Sequence, residues 1–422
     1  MSLLVRHLED AVAFAMADPA VRADAAGCRI GLRLEITPDV GEPHFPVRSV
    51  TLRAGDSDAG QIICRANWSV WQQVLTPIPT VGYQSFGALR RQKTGFEVVG
   101  HELHWMQALP LLERLLEVLR QYTSPRPTQV PPHFQALVHL RGRYLQLDSI
   151  PEAWVYSEEC GNAEALPMLM LHTAGSDARQ WHGLMAQSTF RADWRLLGFD
   201  LPGHGRSPLP AGDRNWTWAL SEDKYIHWVL RYLDAQQLDR VALMGCSMGS
   251  AIGLALLAKH TARFFGGILL ETPYCSPGRR SPYLNNAEVH GARLSAAWVG
   301  ALLSPTSPAE GRDHATWIYS QAAPSVYDGD LAFYSDQFNA HNHTGQIDTK
   351  QTPLWMMTGD YDYSATPADS HRVADEIAGA DFQVLKGFGH FPMVENPAGL
   401  MPHLKHPLTA LHAHIRERSN NQ

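Results

Sequence analysis

The 422-residue chain has little cysteine, no basic block and no long apolar run. Each shortage excludes something. The 5 cysteines, Cys28, Cys64, Cys160, Cys246 and Cys275, are odd in number and far apart, so they form no disulfide framework and have no metal-site spacing. They read as reduced thiols, which favours the cytosol. Lys and Arg number 35 against 42 Asp and Glu, and the net charge of −7 gives no reason to expect a nucleic-acid partner. No apolar run approaches the ~20 residues of a membrane span. The opening residues, Met1 to Asp10, carry acids and lack the apolar stretch of a secretory signal. A cytoplasmic protein without an integral membrane segment is therefore expected. The chain also lacks an internal repeat and a glycine-rich phosphate loop, which argues against a nucleotide cofactor; no metal is expected either, since His341 and His343 have no further ligand pattern around them.

What is present is enough to bury a large core: 45% of residues are hydrophobic and only 18% charged. Residues 1–122 read as a small α+β domain. Apolar spacing suggests helices over Leu3–Met16, Trp68–Leu75, Tyr83–Arg91 and His104–Tyr122. Strands are expected at Cys28–Ile36, Val47–Leu52, Gln61–Arg65 and Phe96–Val99. A linker follows at 123–133, with prolines at 125, 127, 131 and 132. From residue 134 to 422, apolar strand runs alternate with helices, as in a mostly parallel sheet covered on both faces. The alternation stops at 272–350, where an insertion rich in aromatics suggests a lid.

The chemistry gathers around Gly245-Cys246-Ser247-Met248-Gly249. An apolar run ends at Gly245 and a small-residue, leucine-rich run begins after Met248. This predicts a strand, a sharp turn and a helix, with Ser247 exposed on the turn. The glycines let two backbones approach closely. A serine hydroxyl needs a base, and the base needs an orienting acid. Later strands run into Gly359-Asp360-Tyr361-Asp362 and into Gly389-His390-Phe391-Pro392. His390 is thus the candidate base. Asp360, Asp362 and Glu271, at the end of the run Gly267–Leu270, are candidate acids.

Taken together, residues 134 to about 417 resemble the α/β-hydrolase family. The motifs are the turn at 245–249, the segment Phe199-Asp200-Leu201-Pro202-Gly203-His204-Gly205-Arg206-Ser207, Gly359 with Asp362 and Pro367, and Gly389-His390. The resemblance implies Ser247 as nucleophile, His390 as base and then acid, and Asp362 as the orienting acid. It implies an oxyanion hole from the Met248 N–H and the loop at 172–177. There Thr173 replaces the family's glycine, leaving Ala174 N–H as second donor and the Thr173 hydroxyl as an added one. His172 and His204 are expected to be structural.

The expected activity is hydrolysis of an ester, thioester or lactone of a lipophilic small molecule. Trp317, Tyr319, Tyr327, Phe333 and Tyr334 are candidates for its pocket. An acyltransferase, a carbon–carbon hydrolase and a non-catalytic binder are the alternatives; a dehalogenase would need a carboxylate in place of Ser247. Residues 1–122 also resemble the lipid-binding fold of the sterol-carrier-protein family, through 66–75, 95–100 and the leucine-rich helix carrying Leu111, Leu112, Leu115, Leu116 and Leu119. Oligomeric state is left open.

Overall fold

The computed structural model describes residues 8–39, 41, 47–53, 60–92, 94–123, 137–147, 154–210 and 218–420. Past Thr123 the proline-rich linker lies outside them, as does the expected start of the first helix at Leu3. Two sheets organise the chain.

The N-terminal sheet contains β1 (Gly31–Thr37), β2 (Arg48–Arg53), β3 (Gln61–Asn67) and β4 (Glu97–Val99), in the order β2-β1-β3-β4. β1 and β3 pair in parallel; the outer pairs are antiparallel. The helix Glu102–Thr123 packs on it with Leu112, Leu115 and Leu116 buried. A helix not foreseen, Pro19–Gly27, precedes β1 and is capped by Asp18.

The second sheet has eight strands: β5 (Arg141–Gln146), β6 (Trp154–Gly161), β7 (Leu166–Leu171), β8 (Trp194–Phe199), β9 (Val241–Cys246), β10 (Phe264–Leu270), β11 (Leu354–Gly359) and β12 (Asp381–Leu385). Their order is β12-β11-β10-β9-β7-β8-β6-β5. β6 pairs antiparallel with β5 and β8, and the remaining pairs are parallel. This is a mostly parallel sheet of the kind expected from the alternation of strands and helices. β9 is buried along its whole length, as a central strand covered on both faces must be. The following helix, Met248–Lys259, is buried from Met248 to Leu257. Parallel strands bring their carboxyl ends to one edge, where loops carrying chemistry converge.

The segment 272–350 is helical. Helices Gly291–Gly300, Ala309–Tyr319 and Val326–Tyr334 cross that edge. The helix Gly291–Gly300 also packs against Glu102–Thr123 of the N-terminal unit. Among the described residues no helix is long and apolar enough to cross a membrane.

Candidate active site

At the end of β9 the chain turns so sharply that Ser247 takes φ 55°, ψ −114°. The left-handed region costs a non-glycine residue roughly 1–3 kcal/mol, so the surrounding packing must impose it. The flanking glycines show how. A Cβ on Gly245 would lie 2.3 Å from the Gly249 carbonyl oxygen, and one on Gly249 would lie 2.3 Å from that of Leu171.

The turn places Ser247 Oγ 2.8 Å from His390 Nε2, and His390 Nδ1 lies 2.5 Å from Asp362 Oδ2. Asp362 Oδ1 accepts from the N–H groups of Ser364 and Ala365. All three side chains are buried. Asp360 points elsewhere: it accepts from Gly387 N–H at 2.8 Å. Glu271 stands beside Asp362, also in left-handed backbone at φ 51°. Ligating atoms of Glu271, Asp362 and His390 fall within 4.8 Å of one another, and among the described residues no other such group of three exists. Two carboxyls this close in a dry site cannot both ionise. Burial, then the Asp362 charge, pushes Glu271 well above the usual carboxylate range. On Asp362 burial acts in the same direction, but the His390 charge and hydrogen bonds from His390 and Glu271 outweigh it and hold the group low. Glu271 is therefore the neutral member, hydrogen-bonded to Asp362, while accepting from Gly359 N–H at 2.9 Å.

The N–H groups of Met248 and Ala174 donate to no other group among the described residues. Thr173 is engaged differently from expectation. Its N–H goes to Gln180 Oε1 at 3.1 Å, and its hydroxyl sits between Gln180 Oε1 and the Tyr319 hydroxyl. It braces the loop, with both donors taken up by protein. His172 and His204 are structural, as expected. His172 Nδ1 bonds Thr173 O and its Nε2 accepts from Leu201 N–H; burial, then repulsion by His204, lowers it to about 4. His204 bonds Pro202 O and the buried carboxylate of Asp330. Asp330 also accepts from Gly175 N–H, tying the insertion to the loop after β7. The Cys246 thiol packs under the site, facing the His390 carbonyl.

A cavity of about 20 Å³ adjoins Ser247, room for little more than one water. Thr173, Ala174, Ser364, His390 and Phe391 form its base; Arg279, Trp298, Leu302, Tyr319, Tyr327, Leu331 and Tyr334 cover it from the insertion. The Tyr334 hydroxyl is 3.1 Å from Ser247 Oγ. Two expected pocket residues are elsewhere. Trp317 is 47% exposed, with the Arg179 guanidinium over its ring, because it lies on the outer face of its helix. Phe333 is fully buried against Phe338 and against Tyr225 of the helix Glu222–Ala235, where the insertion packs on that helix. Trp298, one of the insertion's aromatics, lines the cavity, whereas Arg279 is not among the expected pocket residues and belongs to no local motif. The larger hollow, about 630 Å³, lies beside Cys160, Gly161 and Arg195, at the opposite ends of the strands.

A family model described as the alpha/beta hydrolase fold matches residues 167–397, over half of the chain. A haloalkane dehalogenase of Psychrobacter cryohalolentis is 31% identical over 124 residues, 29% of this chain and 39% of that protein. A proline iminopeptidase of Neisseria gonorrhoeae is 29% identical over 147 residues, 34% of this chain and 44% of that protein. The chain thus matches less than half the length of these curated relatives. Among solved structures, an enol-lactonase from Burkholderia xenovorans LB400 superposes with TM-score 0.55 at 21% identity, covering 63% of this chain and all of that one. An esterase from Thermogutta terrifontis gives 0.56 at 18%, covering 64% and 99%. Such identities speak to the fold alone. The sterol-carrier likeness of residues 1–122 gains no support from these comparisons.

Proposed function

The chain belongs to the α/β-hydrolase fold family, and from that premise we propose that it is a serine hydrolase acting on an ester, thioester or lactone of a largely apolar small molecule. The observation that carries this reading is the unbroken line Ser247–His390–Asp362, at 2.8 and 2.5 Å. His390 takes the Ser247 proton as Oγ attacks the carbonyl. Asp362 holds the Nδ1–H tautomer and stabilises the imidazolium. The N–H groups of Met248 and Ala174, with no competing described acceptor, receive the developing oxyanion. His390 then protonates the leaving group and activates water against the acyl-enzyme. The aromatic cover supports an apolar substrate body. Although one similar protein is a haloalkane dehalogenase, a displacement forming an alkyl-enzyme ester needs a carboxylate where this chain has Ser247.

Incubation with a fluorophosphonate probe tests the reading. The wild-type protein should be labelled on Ser247 and Ser247→Ala should not be. Equal labelling of the two, or none of either after prolonged exposure, sinks the serine-hydrolase assignment.

A further inference from the structure

Arg279 is 7% exposed and lines the Ser247 cavity. Its Nε and Nη2 are buried, and among the described residues nothing accepts from them. These two donors form the side edge of the guanidinium, the edge that presents two parallel N–H groups to a carboxylate. The chain itself shows what that edge is for. Arg114 uses it on Asp18, Arg179 on Asp177, Arg206 on Asp200 and Arg280 on Asp328.

Two comparisons sharpen the anomaly. Arg120 is about as buried, yet its Nε, Nη1 and Nη2 donate to the carbonyls of Val74, Gln84 and Tyr83. Arg280, the next residue, stands at the surface paired with Asp328 and Asp336. For Arg279 no carboxylate lies within 4.0 Å among the described residues; its companion is the face of Tyr363, 5.7 Å from the ring centroid. A buried charge without a counter-charge is unfavourable unless something else supplies it. The cavity also holds the nucleophile, so the natural supplier is the molecule that Ser247 attacks.

We propose that Arg279 binds a carboxylate carried by the substrate, so that the molecule cleaved is an acyl compound with an apolar body and an acidic end. This rests on the serine-hydrolase reading for its chemistry, but the binding site stands on the geometry of Arg279. The fork orients the substrate from its acidic end and leaves the scissile carbonyl to Ser247 and the oxyanion donors.

The test uses the full chain and pairs of esters that differ only by a carboxylate: the mono-ethyl and diethyl esters of adipic and suberic acids. In wild type the monoester is the better substrate. In Arg279→Gln the monoester-to-diester ratio of kcat/KM should fall on the order of 10- to 100-fold, the range of a lost charge-assisted pair. Arg279→Lys keeps the charge without the fork and should recover only part of it. A structural role for Arg279 would lower both esters together and leave the ratio alone, which overturns the proposal. If neither ester is turned over, the ester-hydrolase reading fails for these compounds and calorimetric titration decides the anchor separately. Mono-ethyl adipate should bind Ser247→Ala more tightly than the Ser247→Ala, Arg279→Gln double variant. Equal binding, or none to either, overturns the proposal.

Discussion

Ser247 and Glu271 are two of the four described non-glycine residues with positive φ, and they end neighbouring strands, β9 and β10. Both are aimed by that backbone: one at His390, the other at Asp362. Their neighbours assign opposite protonation. Asp362, held low by His390 against its burial, is the charged partner; Glu271, raised by burial and by Asp362, is the neutral one. Asp362→Asn should therefore lose activity by about 10⁴ in kcat, because the amide specifies the wrong tautomer. Glu271→Gln stays neutral and still donates, and should remain within about threefold of wild type. Steady-state kinetics on one activated ester separates the two. A Glu271→Gln loss as deep as that of Asp362→Asn would mean that Glu271 works as a charge. Residues of this kind are unevenly legible in the sequence. Ser247, Asp362 and His390 sit in local strings whose turn chemistry is visible there. Arg279 draws its meaning from a partner it lacks, which no local pattern records. Trp317 and Phe333 have the right composition for a pocket, but composition does not say which way a ring faces.

At the scale of elements, the insertion is fastened to the loops beneath it. Glu395, fully buried, accepts from the N–H groups of Ser304, Gly389 and Phe391 and from the Ser307 hydroxyl. One carboxyl thereby joins the end of the helix Gly291–Gly300 region to the loop that carries His390. Burial, partly offset by those donors, raises Glu395 to about 7 from the ordinary 4.5. Between those values the unfolded chain has released the proton and the folded chain still holds it. Stability from this group is complete below 4.5 and declines as pH rises towards 7, by up to about 1.4 kcal/mol per pH unit. Urea midpoints of Glu395→Gln should show a flatter decline over that interval than wild type, and an unchanged slope would place the titration elsewhere. Elements whose burial is nearly complete are the most legible: the apolar runs of β7, β8 and β9 stand out in the amino-acid sequence because no face of these strands needs a polar residue. The helix Pro19–Gly27 does not, because it buries only Val21 and Ala25 and so carries no apolar period. The linker's function as a boundary remains an expectation from its prolines.

For the whole molecule, the N-terminal unit is a brace on the hydrolase-fold unit. Ser85 Oγ donates to the Ala301 carbonyl, Gln84 Nε2 to that of Tyr361, and the Tyr361 hydroxyl to Pro79 O. Arg312 adds an ion pair to Glu117, and Arg293 one to Asp24. The contact reaches both the insertion and the loop holding Asp362. Gly87 is its narrowest point: a Cβ there would lie 2.7 Å from the Tyr363 hydroxyl and 3.3 Å from Ala301 Cβ. Gly87→Leu should destabilise by about 1–3 kcal/mol, the usual result of overpacking. It should also reduce kcat/KM, since Tyr363 adjoins Asp362. Gly291→Ala, whose added carbon would meet only Leu284 O at 3.6 Å, serves as control. A thermal melt and a rate for each variant suffice; lost stability with untouched turnover would show that the brace does not reach the chemistry.

The enclosure of Ser247 has a consequence for time. With Ser247 2% exposed and about 20 Å³ beside it, a reagent larger than a water needs Tyr327, Tyr334 and their neighbours to move before it reaches the nucleophile. Raising the reagent concentration shortens the wait for an encounter but not the wait for an opening. Beyond some dose the onset of inhibition becomes a clock set by the protein, and a screen with a brief exposure would register a competent enzyme as silent.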